Sequence, residues 1–385
     1  MRRHIRAGTG VRGRVVGARP DAPQGSRVHH ERMGYGSGRR QATTLFIAIV
    51  LAPGAAGCAG SHPDKAGGSA SPKPVVLALA THDDDYAYGT FADAVERVSN
   101  GSMRIRVVNN WRDSDADYER AIVSDVRAGK VPLGIVGVRV WDTLGVPSFR
   151  ALVAPFLIDS IDLEGRALAS GFAPRALAAV SRHGVVGVAL LPGLLRRPFG
   201  ITRALVRPRD YRGATIGVRP SGVASTTVAA LGGVARNNPP GDLSMLDGME
   251  VDLLVISTDT LDRRSRPLTG NVVLWPKAQT IVMNRAAYAR LTPGQREILR
   301  RAARAARSAE LARDAHDERY LRSLLCTAGT LPVATATPSD LAALRAKVAP
   351  VYRALERDSF TKVWMRQIRR MRATSTAHPQ SVRCH

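Results

Sequence analysis

From residue 75 onward, short apolar runs alternate with amphipathic stretches. The run "VVLALAT" (75–81) is apolar throughout and reads as a buried strand. After the polar opening "HDDDY", Phe91, Val95 and Val98 recur at i, i+4 and i+7, and Asn100-Gly101 stops that helix. "MRIRVV" alternates, with Met103, Ile105 and Val107 on one face, as a half-exposed strand does. "DADYERAIVSDVRAGK" puts Tyr118, Ile122 and Val126 on one helical stripe, and "VPLGIVGVRV" is a third strand, buried on both faces. "APFLIDS" turns into helix, "PRALAAVSRHG" is helical and "VVGVALLPG" is a strand. Strands alternating with helices of this length predict an α/β fold, a mostly parallel sheet covered on both faces. A second unit of the same kind starts near Phe199 and contains "YRGATIGVRPSG", a helix over 223–231 and the run "VDLLVIST". "NVVLWPKAQTIVMN" is extended and long enough to cross between two domains. The stretch from "LTPGQ" to "LLCTAG" is one long helix. Thr292 can cap it, Pro293 suits its first position and Gln295 completes a capping box. More helix follows Pro338, with a kink expected at Pro350.

The front of the chain has no such pattern. In "GRRQATTLFIAIVLAPGAAGCAGS", Arg39 and Arg40 precede an apolar core over 45–52, too short for a span of about 20 residues. Small residues then lead to Cys58. This resembles a bacterial lipoprotein signal, in which the cysteine takes a diacylglycerol and becomes the new N-terminus; the departure is Ala55, where that pattern has leucine. An ordinary secretory signal cleaved nearby is the alternative, and the residues after the paired arginines fit a twin-arginine signal poorly. Residues 1–57 are thus a signal region with Met33 the expected start of translation, the arginine-rich stretch before it being a start-site artefact or a basic arm. Residues 58–74, rich in Gly, Ser, Pro and Ala, form a flexible tether.

Composition changes this picture little. The 385 residues suffice for about two domains. Formal net charge is +24, but the excess is arginine spread along the chain and aromatics are only 5%, which argues against nucleic-acid binding. With Cys58 lipidated, Cys326 and Cys384 remain, and in an oxidising compartment they suggest one disulfide pinning the C-terminal tail to the end of the long helix.

Catalytic signatures are missing from the sequence: it has no G-x-S-x-G, H-E-x-x-H or G-x-x-x-x-G-K, and His82, His183 and His316 are scattered. Asp83, Asp84 and Asp85 raise a metal site, but consecutive carboxylates on one loop are more often a solvated turn or a helix N-terminus. No cofactor is expected. What remains is arginine where strands give way to loops: Arg139 in "IVGVRVWD", Arg196 in "LLPGLLRRPFG" and Arg219 in "IGVRPSG". Ligands bind at the carboxyl ends of parallel strands, and a guanidinium fork matches a carboxylate with two parallel hydrogen bonds.

The stretches "SNGSMRIRVVNNW", "AGKVPLGIVGVRVWDTLGVPSFRALVAPFLIDS", "RDYRGATIGVRPSG", "LDGMEVDL" and "WPKAQTIVMNRAAYARLTPGQREILRRAA", in that order, resemble the solute-binding subunit of tripartite ATP-independent periplasmic (TRAP) transporters, the dicarboxylate-uptake family, over 75–371. The resemblance implies a two-domain, periplasmic-binding-protein-like clamshell with a long domain-spanning C-terminal helix and no enzymatic activity. It also implies an organic-acid ligand and two integral-membrane partner subunits. Most members clamp the ligand carboxylate with an arginine four residues after the glycine of the G-x-x-I-R-V motif. Four residues after Gly213 stands Gly217, and arginine comes two residues later, at Arg219. Side chains two apart on a strand share a face, one about 6.5 Å beyond the other. Arg219 is therefore read as a displaced clamp or, if this branch has abandoned the carboxylate, as structural. The family's D-G-x-E-N-P keeps Glu250 here but has Val251 for asparagine. Trp275, on a crossing segment, either stacks on ligand or packs the hinge.

These readings give domain I as 75–193 plus about 276–315, domain II as 197–271 plus about 316–345, and C-terminal helices and tail over 346–385. The expected protein is exported, lipid-anchored at Cys58 on the outer face of the cytoplasmic membrane, and binds a small organic acid through Arg219, Arg196, Arg139, Glu250 and Trp275. The competing readings are a ligand-binding sensor component, an extracellular α/β hydrolase and an envelope adhesion lipoprotein.

Overall fold

The computed structural model describes residues 73–82, 89–112, 115–237, 243–264, 267–376 and 379–384. The signal region, Cys58, the tether up to residue 72 and Asp83–Asp85 lie outside the described residues. Two sheets organise what is described. The first holds β1 (Val75–Ala80), β2 (Met103–Val108), β3 (Leu133–Gly137), β4 (Val185–Leu191) and β11 (Gln279–Asn284), in the order β2-β1-β3-β11-β4. The second holds β5 (Leu195–Gly200), β6 (Thr215–Val218), β7 (Val234–Asn237), β8 (Gly248–Val251), β9 (Leu268–Thr269) and β12 (Val333–Ala334), in the order β12-β9-β5-β8-β6-β7. β10 (Trp275–Pro276) pairs with β5 beside this path.

The pairing is mixed rather than mostly parallel. β1 runs parallel to β2 and β3, and β6 runs parallel to β7 and β8. β11 returns from the second lobe and enters the first sheet antiparallel to both β3 and β4. β5 leaves the first lobe and runs antiparallel to β8. The two crossing segments lie against each other: Lys277 N–H donates to Leu194 O at 2.9 Å, and Leu274 N–H to Arg196 O at 2.8 Å. The approach is so close that a Cβ on Gly193 would sit 2.1 Å from the Lys277 carbonyl oxygen. Only glycine fits where the strands cross.

The long helix spans Pro293–Thr327, and the capping box on Thr292 and Gln295 is formed in both directions. Its first half buries Leu299, Ala302 and Ala306 in the core of the first sheet with Phe91, Val95 and Ile281. Its last turns bury Leu321 and Leu325 with Phe199, Val251 and Leu268 of the second. One helix therefore serves both cores. Past Pro338 the helix breaks in two, Pro338–Lys347 and Ala349–Leu355, with Pro350 in the first turn of the second. Proline is tolerated there, so the break is a fresh start rather than a kink.

Two apolar runs are helical rather than extended. Val140–Thr143, inside "VGVRVWDT", makes a single helical turn, and Leu253–Thr258 is a helix capped by Asp252, whose carboxylate accepts from Val255 N–H at 3.0 Å. Cys326 and Cys384 form a disulfide, and Val382 N–H bonds to Gly270 O at 2.9 Å, fixing the tail to the second lobe. No helix among the described residues is long and apolar enough to cross a membrane.

Candidate functional site

The three arginines come from three parts of the fold. Arg139 lies two residues past β3, in the first lobe. Arg196 is not at a strand end: it is the second residue of β5, on the crossing strand, opposite Trp275. Arg219 directly follows β6, in the second lobe.

Each is engaged by the protein. Arg139 is buried, and its Nη2 donates to Glu119 Oε1 at 3.0 Å; the same oxygen accepts from Gly137 N–H at 2.8 Å. Glu119 is the second residue of the Tyr118–Arg127 helix, and an acid there also suits the positive helix end. Arg196 is buried too. Its Nη1 donates to the Glu250 backbone oxygen at 3.2 Å, and its guanidinium lies 4.0 Å from Glu250 Oε2 and 3.7 Å from Asp252 Oδ2. Glu250, on β8, has both carboxylate oxygens occupied: Oε2 accepts from Trp275 Nε1 at 2.6 Å and Oε1 from Arg219 N–H at 3.1 Å. Glu250 thus orients its neighbours, and the buried Trp275 is held at the hinge through it.

The side chain of Arg219 reaches across to the first lobe. Its guanidinium carbon lies 5.7 Å from the centre of the Tyr118 ring. The other side of this aromatic pair is His82, stacked on Tyr118 at 3.7 Å with the planes 12° apart. His82, Tyr118, Glu119, Arg139, Lys277 and Gln279 line one small cavity. Met249, Glu250, Leu274 and Trp275 line a second, apolar one with Val218 and Thr227. The first cavity thus brings the Arg139–Glu119 pair and Lys277 beside the stacked His82 and Tyr118, and the second brings Glu250 and Trp275 against apolar side chains of the second lobe.

Sequence reasoning did not bring Glu119, Tyr118 and His82 together at the first cavity. Tyr118 was on the helix stripe and so read as core. Glu119 is next to it, and an acid one residue off an apolar stripe in a first helical turn carries a weak signal for burial. Arg197 was overlooked as well. It is 1% exposed, and it forks onto Glu318 of the long helix at 2.9 and 3.2 Å while Glu318 also accepts from Leu195 N–H. Adjacent residues on a strand point to opposite faces, so of the pair Arg196-Arg197 one faces the cleft wall and the other the helix. Among the described residues no group of acidic, histidine or cysteine side chains is placed to hold a metal ion.

A family model described as bacterial extracellular solute-binding protein, family 7, matches residues 80–358. The chain belongs to this family, whose members bind solutes outside the cell. Several solved structures share the fold. The TRAP periplasmic solute-binding protein of Roseobacter denitrificans, with bound β-D-glucuronate, superposes with a TM-score of 0.66 at 18% identity over 76% of this chain and 98% of that one. The sugar-acid-binding protein of Advenella mimigardefordensis, in complex with galactonate, gives 0.68 at 19% identity over 77% and 99%. The TRAP periplasmic solute-binding protein of Pseudomonas aeruginosa, with bound L-malate, gives 0.64 at 18% identity over 73% and 100%. No protein of curated function matches the chain in sequence.

Proposed function

We propose that this protein captures a small organic acid between its lobes and delivers it to the membrane subunits of a TRAP-type secondary transporter, held at the membrane by a diacyl anchor on Cys58. The observation that carries the ligand class is Arg219. It follows a strand of one lobe, its backbone is fixed by Glu250, and its guanidinium lies over Tyr118 of the other lobe. A cation that bridges two lobes gains most from a ligand carboxylate when the cleft is shut, and a ligand drives closure only through its differential affinity for the shut form. Glucuronate, galactonate and malate, bound by the structural relatives, each carry a carboxylate. Arg139 and Arg196 are held by internal carboxylates and shape the site around this clamp.

The test begins with mass spectrometry of the compound released from exported protein, followed by calorimetry with that compound. Truncating one partner of a desolvated charge pair costs about 2–5 kcal/mol, roughly 30- to 5,000-fold in affinity. Arg219→Ala is expected to fall in that range, and Arg219→Lys not to rescue it, because an ammonium lacks the two-pronged geometry. Arg209, exposed on the turn before β6, is the control. Parental affinity in Arg219→Ala would refute the clamp. For the anchor, Cys58→Ser is expected to abolish lipid labelling and release the protein to the medium; labelling that persists removes Cys58 as the site.

A further inference from the structure

We infer that Asp142 is a closure latch: a carboxylate of the first lobe that caps a helix of the second and so sets how readily the cleft shuts. Asp142 lies in the single turn Val140–Thr143. That turn is fastened to the first sheet, since Val138 N–H donates to Ala278 O at 2.9 Å and Trp141 Nε1 to Thr280 Oγ1 at 2.8 Å. The Asp142 side chain is 6% exposed and its Oδ1 is held by the Arg150 guanidinium. Its Oδ2 accepts from Val223 N–H at 3.0 Å.

Val223 belongs to the helix Gly222–Leu231 that follows β6. The first turn of any helix carries N–H groups with no partner inside the helix. Here Ser221 Oγ takes the one from Ala224, at 3.2 Å, and the one from Val223 is satisfied by the opposite lobe. A carboxylate at this end is favoured by the helix dipole as well as by the hydrogen bond. Parting the lobes returns both groups to water, so the contact exists only in the shut form. The capped helix begins three residues after Arg219, with Pro220 between them stiffening the link. The groove that seats the carboxylate is shaped by Gly222, where a Cβ would come 2.7 Å from Asp142 Oδ2. Asp142 is a positioning residue in this scheme. It acts on affinity through the fraction of protein in the competent, shut state.

The latch rests on the solute-binding reading, but its test needs no solute, so the two can fail separately. Amide hydrogen exchange and small-angle scattering are measured on ligand-free mature protein, for the parent, Asp142→Asn and Gly222→Ala. Asp142→Asn removes the charge. Gly222→Ala adds one methyl in a helical turn that accepts alanine, and displaces the carboxylate from the other side. Both variants are expected to exchange the Val223 amide at least tenfold faster and to show a larger radius of gyration. The amides of Val228 and Ala229, deeper in the same helix, should stay as protected as in the parent. Should Asp142→Asn fail to fold, Gly222→Ala decides. Parental exchange and scattering in the folded variants overturn the latch. Faster exchange at Val223 with unchanged scattering overturns it too, because the cap would then not control the lobes. Loss of protection along the whole helix would make Asp142 a structural cap only.

Discussion

Glu310 offers a quantitative test of how the long helix is buried. It lies midway along Pro293–Thr327, is 1% exposed, and accepts from Thr90 Oγ1 at 2.6 Å. Burial pushes its pKa from an ordinary 4.5 up to about 7, against the smaller pull of the Thr90 hydrogen bond and of Arg313, with Asp317 adding to the rise. A carboxyl whose folded pKa is raised binds its proton more tightly in the native state than in the unfolded chain. Stability from this group is then complete below pH 4.5 and is lost as pH rises towards 7. At about 1.4 kcal/mol per pH unit, the loss is about 3 kcal/mol. Two neighbours add to it. Asp314, 1% exposed, and Glu164, fully buried, are both pushed well above the carboxylate range by burial and by their neighbouring acids. At the acid end the opposite sign applies. Asp125 is held far below its usual value, chiefly by the Arg112 hydrogen bond, so stability falls as it protonates. Urea unfolding between pH 4.5 and 8 is the assay. The parent should lose stability across this range, and Glu310→Gln, which keeps an acceptor for Thr90 but cannot ionise, should lose about 3 kcal/mol less. Parallel pH curves for parent and variant would refute the reasoning, since the proton would then not be held by burial.

Two further outcomes follow from buried pairs and the tail. Arg197→Met should destabilise by about 3–5 kcal/mol in urea, because it strands the Glu318 carboxylate, and adding Glu318→Leu should recover most of that; additive losses would deny the coupling. Cys384→Ser opens a loop with a sequence separation of 58 and should cost about 4 kcal/mol in the chain-entropy account, and an unchanged melting temperature under oxidising conditions would count against it.

Local signals were legible where they are self-contained. The Thr292-Pro293-Gln295 capping box located the start of the long helix because every atom it uses lies within four residues. A continuous apolar run gave β1, period-2 alternation gave β2 and period-3.6 spacing gave the helix from Tyr118, for the same reason. Features set by distant partners were not legible. β11 lies between β3 and β4 and runs against them, and nothing in "QTIVMN" carries that pairing. Arg196 was read at the end of a strand, yet it lies inside β5, which continues through Pro198 to Gly200 in pairing with β8. At the site the three arginines were found by residue type. The carboxylates that engage two of them come from far along the chain, Glu119 from 20 positions before Arg139 and Glu250 and Asp252 from 54 and 56 positions after Arg196, and no local pattern encodes such pairing.

The long helix changes character along its length. Its apolar stretches, Leu299 to Ala306 and Leu321 to Leu325, belong to different cores. Between them the buried face carries Glu310, Asp314 and Glu318 at four-residue spacing. Glu318 faces the crossing strand through Leu195 and Arg197, and Glu164 reaches Gly193 N–H at 3.1 Å at the crossing itself. Apolar packing does run between the lobes: one core cluster joins Val140, Trp141 and Phe149 of the first to Val223 and Val228 of the second. Of the helix acids, Glu318 ties the helix to the crossing strand and Glu310 ties it to Thr90 of the first lobe. The cost of burying those acids is the pH dependence carried by Glu310. Replacing Glu310 and Asp314 by apolar residues of similar size is therefore expected to raise stability at neutral pH, read as a higher urea midpoint at about pH 8, and an unchanged midpoint would count against that cost.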